Sequence, residues 1–170
     1  MNLPRVNALT LEQFVARFGG VFEHAPWVAE RAWNSRPFDS LDRLHASMMQ
    51  VVGAAGREEQ IALFCAHPEL AGREAAKGTL TADSSSEQGR LGFLDLDRSH
   101  VERMAELNRR YQQRFGFPCI VALKLHASRE SVMASMRRRL GNTAQAEMAS
   151  ALEQIGHITR SRLDKIMEEK

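Results

Sequence analysis

Residues 65–88 read CAHPELAGREAAKGTLTADSSSEQ, and the rest of the chain is organised around them. Pro68 disfavours the α conformation for His67, so we expect the preceding helix to end there. Ser84 and Glu87 have the S-x-x-E spacing of a capping box, which predicts a helix start at Ser84. The stretch therefore places His67 and Glu87 at two backbone breaks, where side chains can face a pocket without having to pack in a core.

Apolar residues recur at helical spacing on both sides of this stretch. Residues 72–83 show little periodicity, and we interpret them as mostly loop. The pattern predicts an all-α fold, a single compact domain over residues 1–170 with about seven to nine helices. The predicted helices are residues 11–18 capped by Thr10, 26–33, 41–52 capped by Ser40, 58–66, 84–93, 99–115 ended by Gly116, a helix to 140 that starts at Ser128 or Ser131, and 143–166 capped by Asn142.

Residues 117–125, FPCIVALKL, form the one strand-like run of the sequence. One isolated strand cannot make a sheet. We therefore expect a buried, extended segment that leads into the next helix.

The composition indicates no strongly charged surface: apolar residues make up 44% of the chain, charged residues 26%, and the net charge is +2. A nucleic-acid or membrane partner would need more one-sided charge, so neither is expected. The longest basic cluster, Arg137–Arg139, fits a solvated helix end better than a phosphate-binding patch. A helix-turn-helix nucleic-acid binder built on it is an alternative that salt-dependent DNA binding would reveal.

Several features predict a cytoplasmic protein. The first residues lack the apolar core of a signal peptide, and no apolar run approaches the ~18 residues of a membrane span. The two cysteines, Cys65 and Cys119, are expected to be free thiols in a reducing compartment.

His67 and Glu87 are candidates for acid–base chemistry. Imidazole has the side-chain pKa nearest neutrality, so His67 fits a general acid or base, although it also fits a cap of the preceding helix or a half-buried packing residue. Glu87 fits a capping residue. A helix N-terminus at that point would also offer N–H groups to an anionic or carbonyl-rich ligand, and Ser84 and Gln88 would add neutral hydrogen bonds.

Arg162 is the third candidate, because it lies in register with Ile155, Ile158 and Ile166 of the last predicted helix. Burying its charge requires an anionic partner, and a ligand carboxylate would meet that need. Arg160 is rotated about 200° away from this side, so we expect it to be solvated.

No metal or cofactor motif is present in the sequence. The six histidines show no H-x-x-x-H or Cys/His spacing, and there is no G-x-G-x-x-G, P-loop or G-x-S-x-G motif. We therefore expect a site that uses neither a metal nor a cofactor.

Three blocks occur in a fixed order: HPEL at residues 67–70, S-x-x-E-Q at 84–88 and FGFP at 115–118. Together with Arg162-Leu163 in the last helix, they resemble the 2-oxo-4-hydroxy-4-carboxy-5-ureidoimidazoline (OHCU) decarboxylases of urate breakdown. The resemblance extends over essentially the whole chain. Each block alone is a weak signal, but the set is specific.

The resemblance implies an all-α carboxy-lyase that needs neither metal nor cofactor and converts OHCU to (S)-allantoin with release of CO₂. It also suggests a homodimer. The catalytic residues that it implies are His67, Glu87 and Arg162. The substrate-binding residues that it implies are Pro68, Ser84 and Gln88 and the main-chain groups of Cys119, Ile120, Val121, Ala122 and Leu123.

The chain departs from the family pattern in two places. The family usually has an aromatic residue where Cys119 stands, and commonly a glycine where Leu125 and His126 stand. If only main-chain atoms contact the substrate there, these departures should affect packing alone. A non-catalytic helical ligand-binding or regulatory protein of the same fold is the alternative, and a turnover assay separates the two.

The hypothesis for the mechanism uses the substrate as its own electron sink, because its ring C=N lies beside the carboxyl-bearing carbon. Arg162 would orient the departing carboxylate or a ring carbonyl, and Glu87 and Gln88 would hold the ureido group. His67 would work at the 4-hydroxyl and at the carbon that loses CO₂. Formation of a single enantiomer requires that the proton be delivered to one face of the intermediate. The sequence leaves open whether His67 or Glu87 donates it.

Overall fold

The structure, a computed structural model, describes residues 1–168, and these residues form ten α-helices and no β-strand. The all-α prediction is confirmed, and eight of the helices have at least seven residues. The helices are α1 (Leu3–Asn7), α2 (Leu11–Phe18), α3 (Pro26–Ala32), α4 (Leu41–Ala54), α5 (Arg57–Cys65), α6 (Arg73–Lys77), α7 (Ala82–Arg90), α8 (Arg98–Phe115), α9 (Arg129–Arg139) and α10 (Ala144–Glu168), with 3₁₀ turns at Trp33–Ser35 and Leu123–Leu125.

Two compact units divide the described chain. The first contains Met1–Ala66 and the chain from Gly156 onward, and the second contains His67–Ile155. The single domain over residues 1–170 stays a prediction, and residues 169 and 170 lie outside the described part of the chain.

Local sequence signals set several helix ends as predicted. The hydroxyls of Thr10, Ser40 and Ser128 each accept a main-chain N–H from the first turn of the helix that follows. Gly116 has a φ of 79°, a left-handed conformation that suits glycine and ends α8.

The prediction of Asn142 as the cap of α10 is wrong. The Thr143 hydroxyl accepts the N–H of Ala146 at 3.2 Å, so Thr143 is the capping residue. The Asn142 side chain instead donates to a carboxylate oxygen of Glu147 at 2.9 Å. The predicted loop over residues 72–83 is also wrong in part, because it contains α6, a helix too short to show periodicity.

In the first unit, α3 packs against both α2 and α4. The Phe14 ring lies 4.8 Å from that of Phe18 and 6.1 Å from that of Phe38, measured between centroids, and all three side chains are buried. No helix within residues 1–168 is long and apolar enough to cross a membrane.

In the second unit, α8 packs against α9, and the Tyr111 ring contacts that of Phe117 just beyond the end of α8. Residues 117–122 form neither helix nor strand and are buried, as predicted, but the prediction is wrong for residues 123–125, which form a 3₁₀ turn in which Leu125 is 53% exposed. The segment ends in the 3₁₀ turn Leu123–Leu125.

Candidate active site

His67 begins the turn over residues 67–72 that connects α5 to α6, and it is buried, with 7% of its surface exposed. As Pro68 predicts, α5 ends before His67. The turn is closed by the N–H of Gly72, which donates to the Glu69 carbonyl at 3.2 Å, and a Cβ on Gly72 would lie 2.6 Å from that of Glu69. Ala71 has a φ of 48°, a left-handed conformation that costs a residue with a Cβ roughly 1–3 kcal/mol and persists only where its surroundings hold it.

Two buried amide side chains hold this turn. Gln88 Oε1 accepts the N–H of Ala71 at 2.9 Å, and Gln88 Nε2 donates to the Glu69 carbonyl at 3.4 Å. Asn108 Nδ2 donates to the Leu70 carbonyl at 2.9 Å. Three consecutive residues of the turn are therefore bonded to side chains of α7 and α8, which explains how the left-handed residue persists.

The predicted capping box at Ser84 is wrong, because α7 begins at Ala82. The N-cap is Thr81, whose hydroxyl accepts the N–H of Ser84 at 3.3 Å. Ser84 and Glu87 therefore lie inside the helix, and their spacing from each other and from Gln88 puts all three on one face. Since Gln88 bonds to the turn that carries the histidine, this face of α7 is the one directed at that turn. Ser84 is buried there, and Glu87 is half-buried.

The C-terminal end of α7 bonds to the segment that follows FGFP. Arg90 donates from Nη2 to the Leu123 carbonyl, and to the His126 carbonyl at 3.1 Å. Helix α7 is therefore bonded both to the turn that begins at His67 and to the 3₁₀ turn that follows the 117–122 segment. Of the predicted main-chain contacts, Leu123 is bonded to α7.

Side chains of α9 and α10 hold the main chain of the 117–122 segment. Arg139 Nη1 donates to the Ile120 carbonyl at 2.7 Å, and Gln154 Oε1 accepts the N–H of Ala122 at 2.9 Å. These two main-chain groups, from residues predicted to bind substrate, are therefore bonded within the protein.

Arg139 is not at a solvated helix end, so the prediction for the basic cluster is wrong at this residue. Its surface is 7% exposed, and its Nη2 lies 2.5 Å from Oε1 of the fully buried Glu147. The Tyr111 hydroxyl donates to the same carboxylate oxygen, and Asn142 Nδ2 donates to the other. A buried ion pair offsets the cost of desolvation only when such additional hydrogen bonds are made.

The electrostatics of this region keep two buried groups neutral. Burial raises the pKa of the Cys119 thiol to about 12, and burial also raises the pKa of the Tyr111 hydroxyl. A protonated thiol is a poor nucleophile. Cys119 therefore fits a contribution through its main chain and not through its sulfur.

Arg162 lies in the first unit, where 2% of its surface is exposed. Its Nη1 lies 2.5 Å from Oε2 of Glu23, which is equally buried. Glu23 thus supplies the anionic partner that the sequence left to a ligand carboxylate, and the role of Arg162 as anion anchor stays a prediction. Arg160 is partly exposed and pairs with Asp42 and Asp164.

Sequence reasoning did not single out Asn108, Arg139 or Gln154 as residues of this region. The sequence does contain an indication for Asn108, because this polar residue lies within the apolar stripe of α8, beside Leu107 and near Tyr111. Arg139 and Gln154 carried none, since their partners are main-chain groups 19 and 32 residues away. Among residues 1–168, no three His, Cys, Asp or Glu side chains are grouped so that they could hold a metal ion.

The fold and the site define a class of all-α protein in which a buried histidine and a half-buried carboxylate are grouped with a buried, non-helical main-chain segment around one helix. The chain belongs to the OHCU decarboxylase family, whose family model matches residues 7–164.

Relatives and solved structures agree with this family. Proteins named 2-oxo-4-hydroxy-4-carboxy-5-ureidoimidazoline decarboxylase are 39% identical in Haloferax volcanii (96% of this chain, 94% of the relative) and 36% identical in Amia calva (99% and 95%). The crystal structure of (S)-allantoin synthase superposes with a TM-score of 0.77 at 25% identity, covering 98% of this chain and 54% of that one. An OHCU decarboxylase solved in the presence of (S)-allantoin shares the fold, with a TM-score of 0.68 at 19% identity over 84% of this chain and 92% of that one.

Proposed function

We propose that this chain is a carboxy-lyase that converts OHCU to (S)-allantoin and CO₂ in urate breakdown. The observation that carries the proposal is the family match across residues 7–164. Relatives with that name align over nearly the whole chain, which supports the same small-molecule substrate and product here. The grouping of a histidine and a glutamate around α7 supports acid–base chemistry on that substrate.

The substrate is a small heterocycle rich in carbonyl and N–H groups, so neutral hydrogen-bonding partners suit it. Ser84, Glu87 and Gln88 share the face of α7 directed at the turn that carries His67, and Pro68 provides an apolar contact beside the histidine. Gln88 can serve both turn and substrate, because a carboxamide has four hydrogen-bonding positions and the turn uses two of them.

The reaction needs a place for the electron pair of the C4–carboxylate bond. When that bond breaks, the pair forms a C4=C5 double bond, and the π pair of the C5=N bond moves to the ring nitrogen, which takes a proton. The resulting enol loses its hydroxyl proton to become the C4 carbonyl, and C5 gains a proton. The net change is that CO₂ leaves and one proton replaces it. The protein therefore contributes by orienting the substrate and by transferring protons.

We propose that His67 transfers the proton of the 4-hydroxyl while Glu87 and Gln88 hold the ureido group. The enol is planar at C5, so protonation from one face fixes the hand of the product. Either His67 or Glu87 makes that donation. The enantiomeric composition of the allantoin formed by a Glu87→Gln variant shows whether Glu87 or His67 is the donor. Loss of the donor gives racemic product.

We propose that Arg162 orients the departing carboxylate or a ring carbonyl. A guanidinium has five donors in a fixed plane, and the contact of Nη1 with Glu23 holds that plane. The pair would then keep the guanidinium in one orientation before the substrate arrives.

The experiment that tests this function follows freshly generated OHCU by absorbance and circular dichroism, with and without the protein. OHCU decays slowly by itself, and in water the planar enol is protonated from both faces. We expect a faster decay and the dichroism of (S)-allantoin. An unchanged rate with racemic product would overturn the proposal, and binding of allantoin without turnover would indicate the non-catalytic ligand-binding protein.

We further infer a homodimer in the cytoplasm with neither a nucleic-acid nor a membrane partner. The net charge of +2 supports the absence of such partners, and the family resemblance suggests the dimer. Light scattering coupled to size-exclusion chromatography distinguishes a dimer from the 19.1 kDa monomer.

A further inference from the structure

Two consecutive peptide units of the 117–122 segment are each held by one side chain. The Ile120 carbonyl accepts from Arg139 Nη1 at 2.7 Å, and the Ala122 N–H donates to Gln154 Oε1 at 2.9 Å. Val121 lies between these two bonds. The Ile120 carbonyl and the Val121 N–H belong to one peptide unit, and the Val121 carbonyl and the Ala122 N–H belong to the next.

The geometry of the peptide group then sets where the polar groups of Val121 point. Both peptide bonds are trans, and in a planar trans unit the C=O and the N–H point in opposite directions. The Val121 N–H therefore points away from the Arg139 guanidinium, and the Val121 carbonyl points away from the Gln154 carboxamide.

Val121 is a buried residue, with only 5% of its surface exposed. No residue of the described chain accepts a hydrogen bond from its N–H or donates one to its carbonyl. Buried main-chain groups almost always have a partner, so a pair left over at a candidate site points to a ligand. An adjacent donor and acceptor match the N–H and C=O of a ring amide or a ureido group.

We propose that Arg139 and Gln154 are positioning residues, which hold two peptide units so that the Val121 N–H and C=O are directed at an amide or ureido group of the substrate. The inference rests on the proposed function for its substrate. Arg139 acts through the Ile120 carbonyl, and Gln154 acts through the Ala122 N–H. Neither side chain needs to contact the substrate.

The buried network explains why an arginine can do this. Arg139 is fixed by Glu147, which in turn accepts from Tyr111 and Asn142. A guanidinium held in this way has one orientation, so the peptide unit that it bonds has one orientation as well. Pre-organised donors and acceptors lower the cost of ordering on binding.

Gln154→Met is the main test, because it keeps the size of the side chain and removes the acceptor. We expect the KM for OHCU to rise roughly tenfold, as for one lost hydrogen bond, and kcat to stay within roughly twofold. Gln154→Glu keeps an acceptor for the Ala122 N–H and should restore the KM. Gln145→Met makes the same change at an exposed position of α10 and should have no effect.

Arg139 is tested by the double variant Arg139→Met with Glu147→Gln, which removes the donor to Ile120 without leaving a lone buried charge. The KM should rise by a similar factor, with kcat again retained. If the double variant does not fold, the Gln154 series and the binding measurement below decide the inference.

The direct measurement is the amide resonance of Val121 in ¹⁵N-labelled protein titrated with (S)-allantoin, which needs no turnover. A shift of this amide at saturation in the wild type, reduced in Gln154→Met and restored in Gln154→Glu, supports the inference. An unmoved Val121 amide, or a Gln154→Met enzyme with wild-type KM, overturns it even if the protein decarboxylates OHCU. Absence of turnover by the wild type overturns the proposed function instead, and the Val121 amide still decides the positioning role.

Discussion

Gln88 Oε1 accepts the N–H of Ala71 at 2.9 Å, and through this bond α7 holds a turn that contains a left-handed alanine. The same carboxamide donates to the Glu69 carbonyl, so Gln88 spans the turn that begins at His67. A residue that the sequence marks as a substrate contact is thus also a structural support of the histidine. The two roles predict different effects of substitution.

We predict that Gln88→Ala lowers the free energy of unfolding by roughly 1–3 kcal/mol, because a main-chain N–H loses its buried acceptor. We also expect lower activity, with a larger change in kcat than in KM, because the displaced turn carries His67. Urea unfolding and steady-state kinetics measure the two effects. Gln145→Ala, at an exposed position of α10, is the matched control. Unchanged stability in Gln88→Ala would show that the bond to Ala71 does not hold the turn.

The buried pair Arg162–Glu23 leads to a second prediction. Arg162→Ala removes a buried partner of the Glu23 carboxylate, so we expect a loss of roughly 3–5 kcal/mol in the free energy of unfolding. The double variant Arg162→Met with Glu23→Gln leaves no lone charge from this pair and should recover much of that stability.

The double variant also separates stability from binding. If Arg162 anchors an anionic or carbonyl group of the substrate, this folded variant should still lose decarboxylation. Titration calorimetry with (S)-allantoin and the OHCU assay are the measurements. Wild-type kinetics in the double variant would exclude Arg162 from the site.

The fold was predictable where the signal is local. Thr10, Ser40, Ser128 and Gly116 each act on the adjacent helix turn, so residue type and position suffice. The prediction failed at Ser84 because Thr81, three residues earlier, offers an equally good hydroxyl, and the extended backbone of Thr81 decides between them.

The candidate site was predictable only in part. The sequence marks His67, Ser84 and Glu87, but their arrangement depends on bonds between distant positions. Asn108 bonds to a carbonyl 38 residues earlier in the chain, and no periodicity or spacing encodes such a pair. The prediction for Arg139 is wrong because a charged helix end is usually solvated, and the sequence does not reveal its buried partner Glu147.

His45 gives a prediction of pH dependence in the first unit. Burial lowers its pKa below the ordinary value of 6.5, and Arg160 lowers it further against the opposing effects of Asp164 and Asp42. The unfolded chain therefore takes up a proton at higher pH than the folded chain. The free energy of unfolding should fall as the pH falls from about 6.5 through the folded pKa, with no contribution from this group well above 6.5.

His45→Gln removes this titration while keeping an amide that can bond to the Thr159 hydroxyl, which now lies 2.9 Å from His45 Nε2. We expect a smaller loss of stability between pH 7.5 and pH 5.5 in the variant than in the wild type. Urea unfolding across that range measures it. Equal losses in both proteins would contradict the lowered pKa of His45.

The two thiols should differ in reactivity. Cys119 is buried with a pKa raised by burial to about 12, whereas Cys65 is exposed. Because the thiolate is the reactive form, we predict that iodoacetamide at pH 8 modifies Cys65 first and Cys119 only after unfolding. Peptide mass spectrometry over time measures both. Equal rates in the native protein would show that Cys119 is accessible and ionised.

We propose that His67 transfers protons in the decarboxylation of OHCU and that the turn bonded to Gln88 positions it. The most direct measurement is OHCU decay and allantoin dichroism with His67→Asn, beside His100→Asn at a histidine on α8 whose side chain bonds to nearby Asp97. We predict that His67→Asn keeps its helical circular dichroism and loses roughly 10²–10⁴-fold in rate, while His100→Asn matches the wild type. A folded His67→Asn protein that forms (S)-allantoin at the wild-type rate would contradict the catalytic role of His67.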